Sequence, residues 1–231
     1  MQHSSKLIIS LLAACGLALA MGCQRSGDST PPTASVPGPK TDPAVPALPS
    51  HVSATRSDQD PAHPVVEIVT TLGTLRVRLN GEKAPLTVDN FMNYVANRHF
   101  DQTIFHQVLR DYPKVVVGGG YTVDLVEKKT RTPIRNEAHN GLKNRRGTIA
   151  MARQPSNEDS ATCQFFFNVA DNEVLDHQKR TPANYGYCVF GEIIDGLDTL
   201  DHIAQTPVHD TAHFERTPVT VVAIKSIRQV R

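Results

Sequence analysis

Three stretches decide how this chain folds: Gly147-Thr-Ile-Ala-Met-Ala-Arg153, Cys163-Gln-Phe-Phe-Phe-Asn-Val-Ala-Asp171 and Tyr187-Cys-Val-Phe-Gly-Glu-Ile-Ile-Asp-Gly196. Each holds a short apolar run bounded by glycine or polar residues, which predicts strands at Thr148–Met151, Phe165–Val169 and Cys188–Ile194. Successive side chains of a strand point to opposite faces, so Phe166 is expected to face away from Phe165 and Phe167. Packing of all three rings into one core is the competing reading.

Working outward, Val65–Thr70 and Leu72–Leu79 read as a β-hairpin around Gly73. In its second limb Leu75, Val77 and Leu79 alternate with Thr74, Arg76 and Arg78, the pattern of a half-buried strand. Ala84-Pro-Leu-Thr87 supplies a helix start, with Thr87 expected as the cap and Asp89 near the positive end of the dipole. Val88, Phe91, Met92 and Val95 then share one helical face and read as core. Further strands are expected at Ile104–Leu109, Val115–Val117 and Val219–Ile227, with a second helix near Leu197–Gln205. Gly118-Gly-Gly120 follows a strand but no Gly-Lys-Ser/Thr comes after it, so a turn is expected there in preference to a phosphate cradle. Many short strands with two helices predict a mainly β protein, an antiparallel barrel or sandwich.

The 231 residues suit one domain with attachments, and the formal charge of +1 without a basic block argues against nucleic acid as a partner. His209-Asp-Thr-Ala-His213 lies in loop-like sequence without a third ligand, so no metal is expected. Between Gln24 and His63, eight prolines are interleaved with Ser, Thr, Ala and Asp without apolar periodicity, which reads as a tether over 23–63 ahead of a folded domain over 64–231. Such a chain reaches about 35 Å, taking ~5–6 Å × √n.

The motif series resembles the cyclophilin family of peptidyl-prolyl isomerases, and more closely its bacterial periplasmic branch. The resemblance runs from about His63 to the C-terminus and implies an eight-stranded antiparallel barrel capped by two helices. The N-terminus resembles a bacterial lipoprotein leader. Lys6 is followed by an apolar Leu7–Ala20 stretch too short to span a membrane comfortably, then by Leu19-Ala-Met-Gly-Cys23. A signal peptide over 1–22 is expected, with Cys23 acylated and the domain held at the periplasmic side of the membrane. Gln24 after that cysteine favours the outer membrane. Leu12-Ala-Ala-Cys15 is a rival box that leaves a very short apolar region, and an ordinary secretory signal is the plainer alternative. Cys163 and Cys188 then remain as thiols in an oxidising setting, either paired or as two buried thiols.

The family's activity needs no nucleophile, metal or cofactor, and a monomer acting on proline-containing polypeptides is implied. Rotation about X–Pro is opposed by about 20 kcal/mol of amide resonance, and a donor aimed at the prolyl nitrogen favours the twisted state. By the resemblance, Phe166 is the floor of the proline pocket, Gln164 holds the substrate backbone, and Leu175 is an apolar wall. Val174 stands in the place of a bulkier aromatic, while Tyr187, Met151 and Ala152 border the groove. Phe105-His106-Gln107 matches the family's Phe-His-Arg, so Gln107 replaces the cationic donor with a neutral amide. Arg110-Asp-Tyr-Pro-Lys-Val-Val-Val117 is about two residues longer than the family's loop, with Val117 where a glutamine is expected. Arg110 and Arg153 are candidates to restore the charge from another angle, and Tyr112 to restore the missing aromatic.

Overall fold

The structure, a computed structural model, describes residues 60–230. The signal-peptide expectation, Cys23, Cys15 and nearly all of the expected tether lie outside the described residues. Strand β1 (Val65–Thr70) turns at Gly73 into β2 (Thr74–Leu79), where Leu75, Val77 and Leu79 are fully buried and their neighbours face outward. Gly73 has φ +143°, and a Cβ there would meet the Thr199 hydroxyl at 2.5 Å, so both conformation and space demand glycine.

The chain continues through α1 (Pro85–Ala96), β3 (Thr103–Leu109), β4 (Val115–Thr122), β5 (Thr148–Met151), β6 (Phe165–Asn168), β7 (Val189–Asp195) and α2 (Leu197–Gln205). It ends with β8 (Val208–His209), β9 (Thr217–Pro218) and β10 (Val222–Gln229). Eight strands close into a barrel in the order β1-β10-β3-β4-β6-β5-β7-β2, every neighbouring pair antiparallel. β8 and β9 pair separately. Inside the barrel, Phe91 of α1 lies 5.0 Å from Phe100, 5.2 Å from Phe190 and edge-on to Phe165 at 5.7 Å between ring centroids. From α2, Leu200 and Ile203 join the same core. Each such side chain contributes about 1.5–3 kcal/mol through burial, and aromatic pairs add about 0.5–1.5 kcal/mol.

Two expectations change. Gly118, Gly119 and Gly120 are not a turn: β4 runs through them to Thr122. A Cβ would stand 2.7 Å from Phe105 at Gly118, 2.7 Å from Phe165 at Gly119 and 2.5 Å from Gln164 at Gly120. The glycines let the strand pass beneath three large side chains, and the pairing with β3 slips there.

Thr87 is also not the helix cap. The cap position is Ala84, which makes no side-chain bond, and Pro85 opens the helix, where its missing N–H costs nothing. The Glu137 carboxylate arrives from fifty residues away, accepting from the N–H groups of Leu86 (3.2 Å) and Thr87 (2.9 Å) and from the Thr87 hydroxyl (2.8 Å). A negative acceptor at the positive helix end satisfies orphan donors and complements the dipole. Glu137→Ala should therefore lower unfolding free energy by about 1–2 kcal/mol, the usual cost of a lost cap, with Glu137→Gln losing less. Urea denaturation of both variants checks this, and an unchanged midpoint in Glu137→Ala would refute the capping role.

Candidate active site

The alternation of β6 divides its three phenylalanines. Phe165 and Phe167 belong to the barrel interior, whereas Phe166 lies in a separate apolar cluster with Val115, Val117, Ala150, Ala152, Leu175 and Val189. Leu109, Leu142 and Tyr187 pack against the edges of that cluster. Strand pairing sets out a lateral row across the outer face: Gln107 opposite Val117, Val117 opposite Phe166, Phe166 opposite Ala150, and Ala150 opposite Val189. Strands lie about 4.8 Å apart, so Gln107 sits about 10 Å from Phe166 with Val117 between them.

Gln107 reaches that face through a β-bulge. Phe105 pairs with Gly118 and Gln107 with Val117, so β3 carries one extra residue there. Phe105 and Val108 consequently both face the interior, and His106 and Gln107 between them do not. Phe105 is 1% exposed and meets Phe165 edge-on at 6.3 Å. Met151 is likewise interior, because the chain through β5 alternates Ile149 and Met151 inward with Ala150, and Ala152 just past the strand, outward. The structure thus places Phe105 and Met151 behind the strands that carry Phe166 and not beside it.

His106 is fully buried between Tyr121 (4.8 Å) and Phe214 (4.7 Å), and neither ring nitrogen has a hydrogen-bond partner among the described residues. Burial drives its pKa down to about 3, so the ring is neutral near pH 7 and acts as packing. What the structure does bring together is Phe166, Ala152, Leu175 and Tyr187, with Gln107 and Gln164 nearby. Gln164 precedes Phe166 by two residues, with its side chain against Gly120. Its Oε1 is buried without a hydrogen bond of good geometry among the described residues, and the Tyr121 phenol interacts with the same amide. A buried acceptor left without a good hydrogen bond costs about 1–3 kcal/mol.

Both candidate cations are committed elsewhere. Arg110 donates from Nε to the carbonyl of Ala204 (3.1 Å) and from Nη2 to that of Thr206, closing the C-terminal end of α2. Arg153 is 5% exposed and donates to the carbonyls of Gly186 (2.9 Å), Gln154 (2.8 Å), Pro155 (3.2 Å) and Pro182 (2.9 Å). Its guanidinium lies 4.7 Å above the Tyr187 ring, which in turn meets Phe166 edge-on at 5.6 Å. Burial lowers the pKa of Arg153 and raises that of Tyr187. Arg153 therefore holds the wall of the cluster in place, one ring removed from its floor.

Sequence reasoning missed the amide network that frames this cluster. Asn168 donates to Asn144 (3.2 Å) and Thr148 (2.9 Å), and Asn172 donates to Asn168 (2.8 Å). Asn172 also clamps the backbone of Lys114, accepting its N–H and donating to its carbonyl, both at 2.9 Å. Asn144 bonds Asp176 through its N–H (2.8 Å) and its side chain (3.1 Å). These bonds fix the turn that carries Leu175. Only the density of Asn and Asp between 168 and 176 signals it in the sequence. Cys163 and Cys188 are free and buried, their thiols pushed up to about 11 and about 12 by desolvation.

The sequence profile of the family described as "Cyclophilin type peptidyl-prolyl cis-trans isomerase/CLD" matches residues 65–229. A peptidyl-prolyl cis-trans isomerase of Acinetobacter baylyi is 46% identical over 167 residues, covering 72% of this chain and 86% of the relative. The cyp18 isomerase of Streptomyces antibioticus is 44% identical over 163 residues, covering 71% of this chain and 96% of the relative. Among solved structures, a Cryptosporidium parvum cyclophilin-type isomerase determined in the presence of the dipeptide Ala-Pro superposes with a TM-score of 0.57. It is 25% identical and covers 72% of this chain and 99% of that one. A profile spanning the whole barrel, the eight-stranded closure and these relatives agree, and the chain belongs to the cyclophilin-type peptidyl-prolyl isomerase family.

Proposed function

We propose that this protein is a peptidyl-prolyl cis–trans isomerase acting on exported polypeptides, with its rate reduced by Gln107. The observation that carries the reading is the outward Phe166 floor walled by Leu175 and Tyr187, with the buried Gln164 amide two residues away on the same face. A proline ring resting on Phe166 between Leu175 and Tyr187 is held by apolar contact, and Gln164 Oε1 takes up a backbone N–H of the same peptide. Twisting of the X–Pro amide restores a lone pair to the prolyl nitrogen, and the Gln107 amide donates to it. Interactions that strengthen only in the twisted state accelerate rotation. A neutral donor does this less well than a charged one, since charge-assisted bonds are roughly twice as strong.

Both arginines near the site donate to main-chain carbonyls, which supports assigning the rate deficit to position 107. Gln107→Arg should raise kcat/KM for a short X–Pro peptide by about ten- to a thousand-fold, the range of single-donor effects. If wild type is already fast, Gln107→Arg is neutral and Arg153→Ala is inactive, the charge comes from Arg153 after all. If neither protein catalyses but both bind the peptide, the domain is a tethered proline-binding module and the isomerase reading fails.

The location follows from the leader. The mature protein is a lipoprotein whose Cys23 carries the acyl chains, facing the periplasm, with the outer membrane favoured by Gln24. Each buried methylene contributes about 0.8 kcal/mol, so two or more chains anchor it stably. Cys23→Ala should abolish radiolabelled palmitate incorporation and release the protein from the membrane fraction. Labelling that persists in Cys23→Ala and disappears in Cys15→Ala would move the anchor to Cys15.

A further inference from the structure

We propose that a cationic cavity on the β2–β7–β5 side of the barrel binds a phosphate ester, independently of the isomerase reading above. The argument starts from strand pairing. Arg78 of β2 stands directly opposite Glu192 of β7, and Glu192 opposite Thr148 of β5, so the three form a row across the strands. Arg78 lies between the inward Val77 and Leu79, which turns it to the outer face. Residues 141–145 border this row and enclose with it a cavity of about 520 Å³, a volume that suits a small organic ligand.

The lining carries three permanent cations, Arg78, Lys143 and Arg145, against the single carboxylate of Glu192. The whole chain has a formal charge of +1, so the positive charge is concentrated here and is not a share of a basic surface. Neighbouring cations are answered from within the fold. Arg146 pairs with Asp201 at 2.8 Å, Lys143 reaches Asp176 at 3.4 Å, and His63, also in the lining, is bonded to Asp60 at 2.9 Å. Arg78 and Arg145 have neither an ion pair nor a side-chain hydrogen bond among the described residues. Arg78 stays apart from Glu192 although the two are cross-strand neighbours.

The backbone beneath these side chains is fixed. Thr148 donates to the carbonyl of Arg145 from its N–H (3.0 Å) and from its hydroxyl (2.7 Å), and the Arg145 N–H donates to the carbonyl of Lys143 (2.9 Å). Two guanidinium groups and an ammonium brought to one cleft from two elements suit a doubly charged oxyanion. Each arginine offers a planar fork of donors matched to phosphate, and low-dielectric walls focus the field between them. The remaining lining includes Leu79, Leu142 and Val189, so the body behind the anionic head meets carbon. Inorganic phosphate leaves that apolar surface uncovered, whereas an ester covers it. Leu142 and Val189 also belong to the packing around Phe166, so a ligand seated here touches the reverse of that cluster.

The test titrates the full chain by NMR with glycerol 3-phosphate, inorganic phosphate and dihexanoyl phosphatidylglycerol below its micelle concentration, with glycerol as the uncharged control. Glycerol 3-phosphate should bind saturably and more tightly than inorganic phosphate, with shifts centred on Leu142, Val189 and Gly191, and glycerol should not bind. Arg78→Ala/Arg145→Ala should weaken binding about tenfold, the scale of a charge-assisted bond at a partly exposed site. Glu192→Gln removes the one carboxylate of the lining and should tighten binding about threefold. Arg146→Ala deletes the same charge from a residue already paired and should leave the affinity within about twofold, since exposed charges beyond the site are screened. If the double variant fails to fold, judged by its urea midpoint, Glu192→Gln and Arg146→Ala carry the comparison. Whichever ester binds more tightly names the source, a lipid headgroup or a soluble phosphate, and either upholds the site. Equal binding of inorganic phosphate would overturn the ester assignment. Absence of saturable binding, shifts centred elsewhere, or an equal loss in Arg146→Ala and the double variant would overturn the site itself.

Discussion

The structure depends on the two-residue period of β6. A barrel of eight strands needs large apolar groups at its centre, and Phe165 and Phe167 supply them against Phe91, Phe100 and Phe105. With those two rings committed inward, the backbone leaves Phe166 no orientation but outward. The apolar floor of the site is thus a by-product of filling the core. A one-residue slip of this strand would empty the barrel and erase the site together, so register is held by the same contacts that give stability.

Features that repeat locally were legible in the sequence. The β1–β2 hairpin, the extents of β5 and α2 and the opposed face of Phe166 all follow from alternation or helical spacing within a few residues. Features that depend on distant partners were not. Glu137 caps α1 across fifty positions of sequence, and no spacing rule links it to Thr87. The triple glycine reads as a turn because the rings that demand it, Phe105 and Phe165, lie on other strands. The positions beside the best motif residues misled for a related reason. Met151 precedes Ala152 and faces the opposite way by alternation, whereas Phe105 and Gln107 are two apart and only the bulge between them turns them to different faces, so Phe105 and Met151 both fall inside the barrel.

Charge around the site is arranged with unusual economy. Arg110 and Arg153 each satisfy backbone carbonyls, His106 is held neutral by burial, and the cluster about Phe166 contains no ionised side chain. Amide groups do the polar work instead: Gln107 and Gln164 near the floor, and Asn144, Asn168 and Asn172 behind it. Amides neither titrate nor demand counter-ions, although Asn144 also leans on the Asp176 carboxylate through its N–H and its side chain. A rotation that moves no proton suits such a framework.

The closure of the barrel carries one more consequence. Each of its eight strands is hydrogen-bonded on both sides, and the separate β8–β9 pair is two residues long. An extended polypeptide laid across the outer face therefore meets side chains and finds no unpaired ladder to join. A sheet with a free edge would invite such a chain to add itself as a further strand, held by main-chain bonds regardless of sequence. The closed ring has no such edge strand, so recognition of an extended chain on this face leans on side chains such as Phe166 and Gln164.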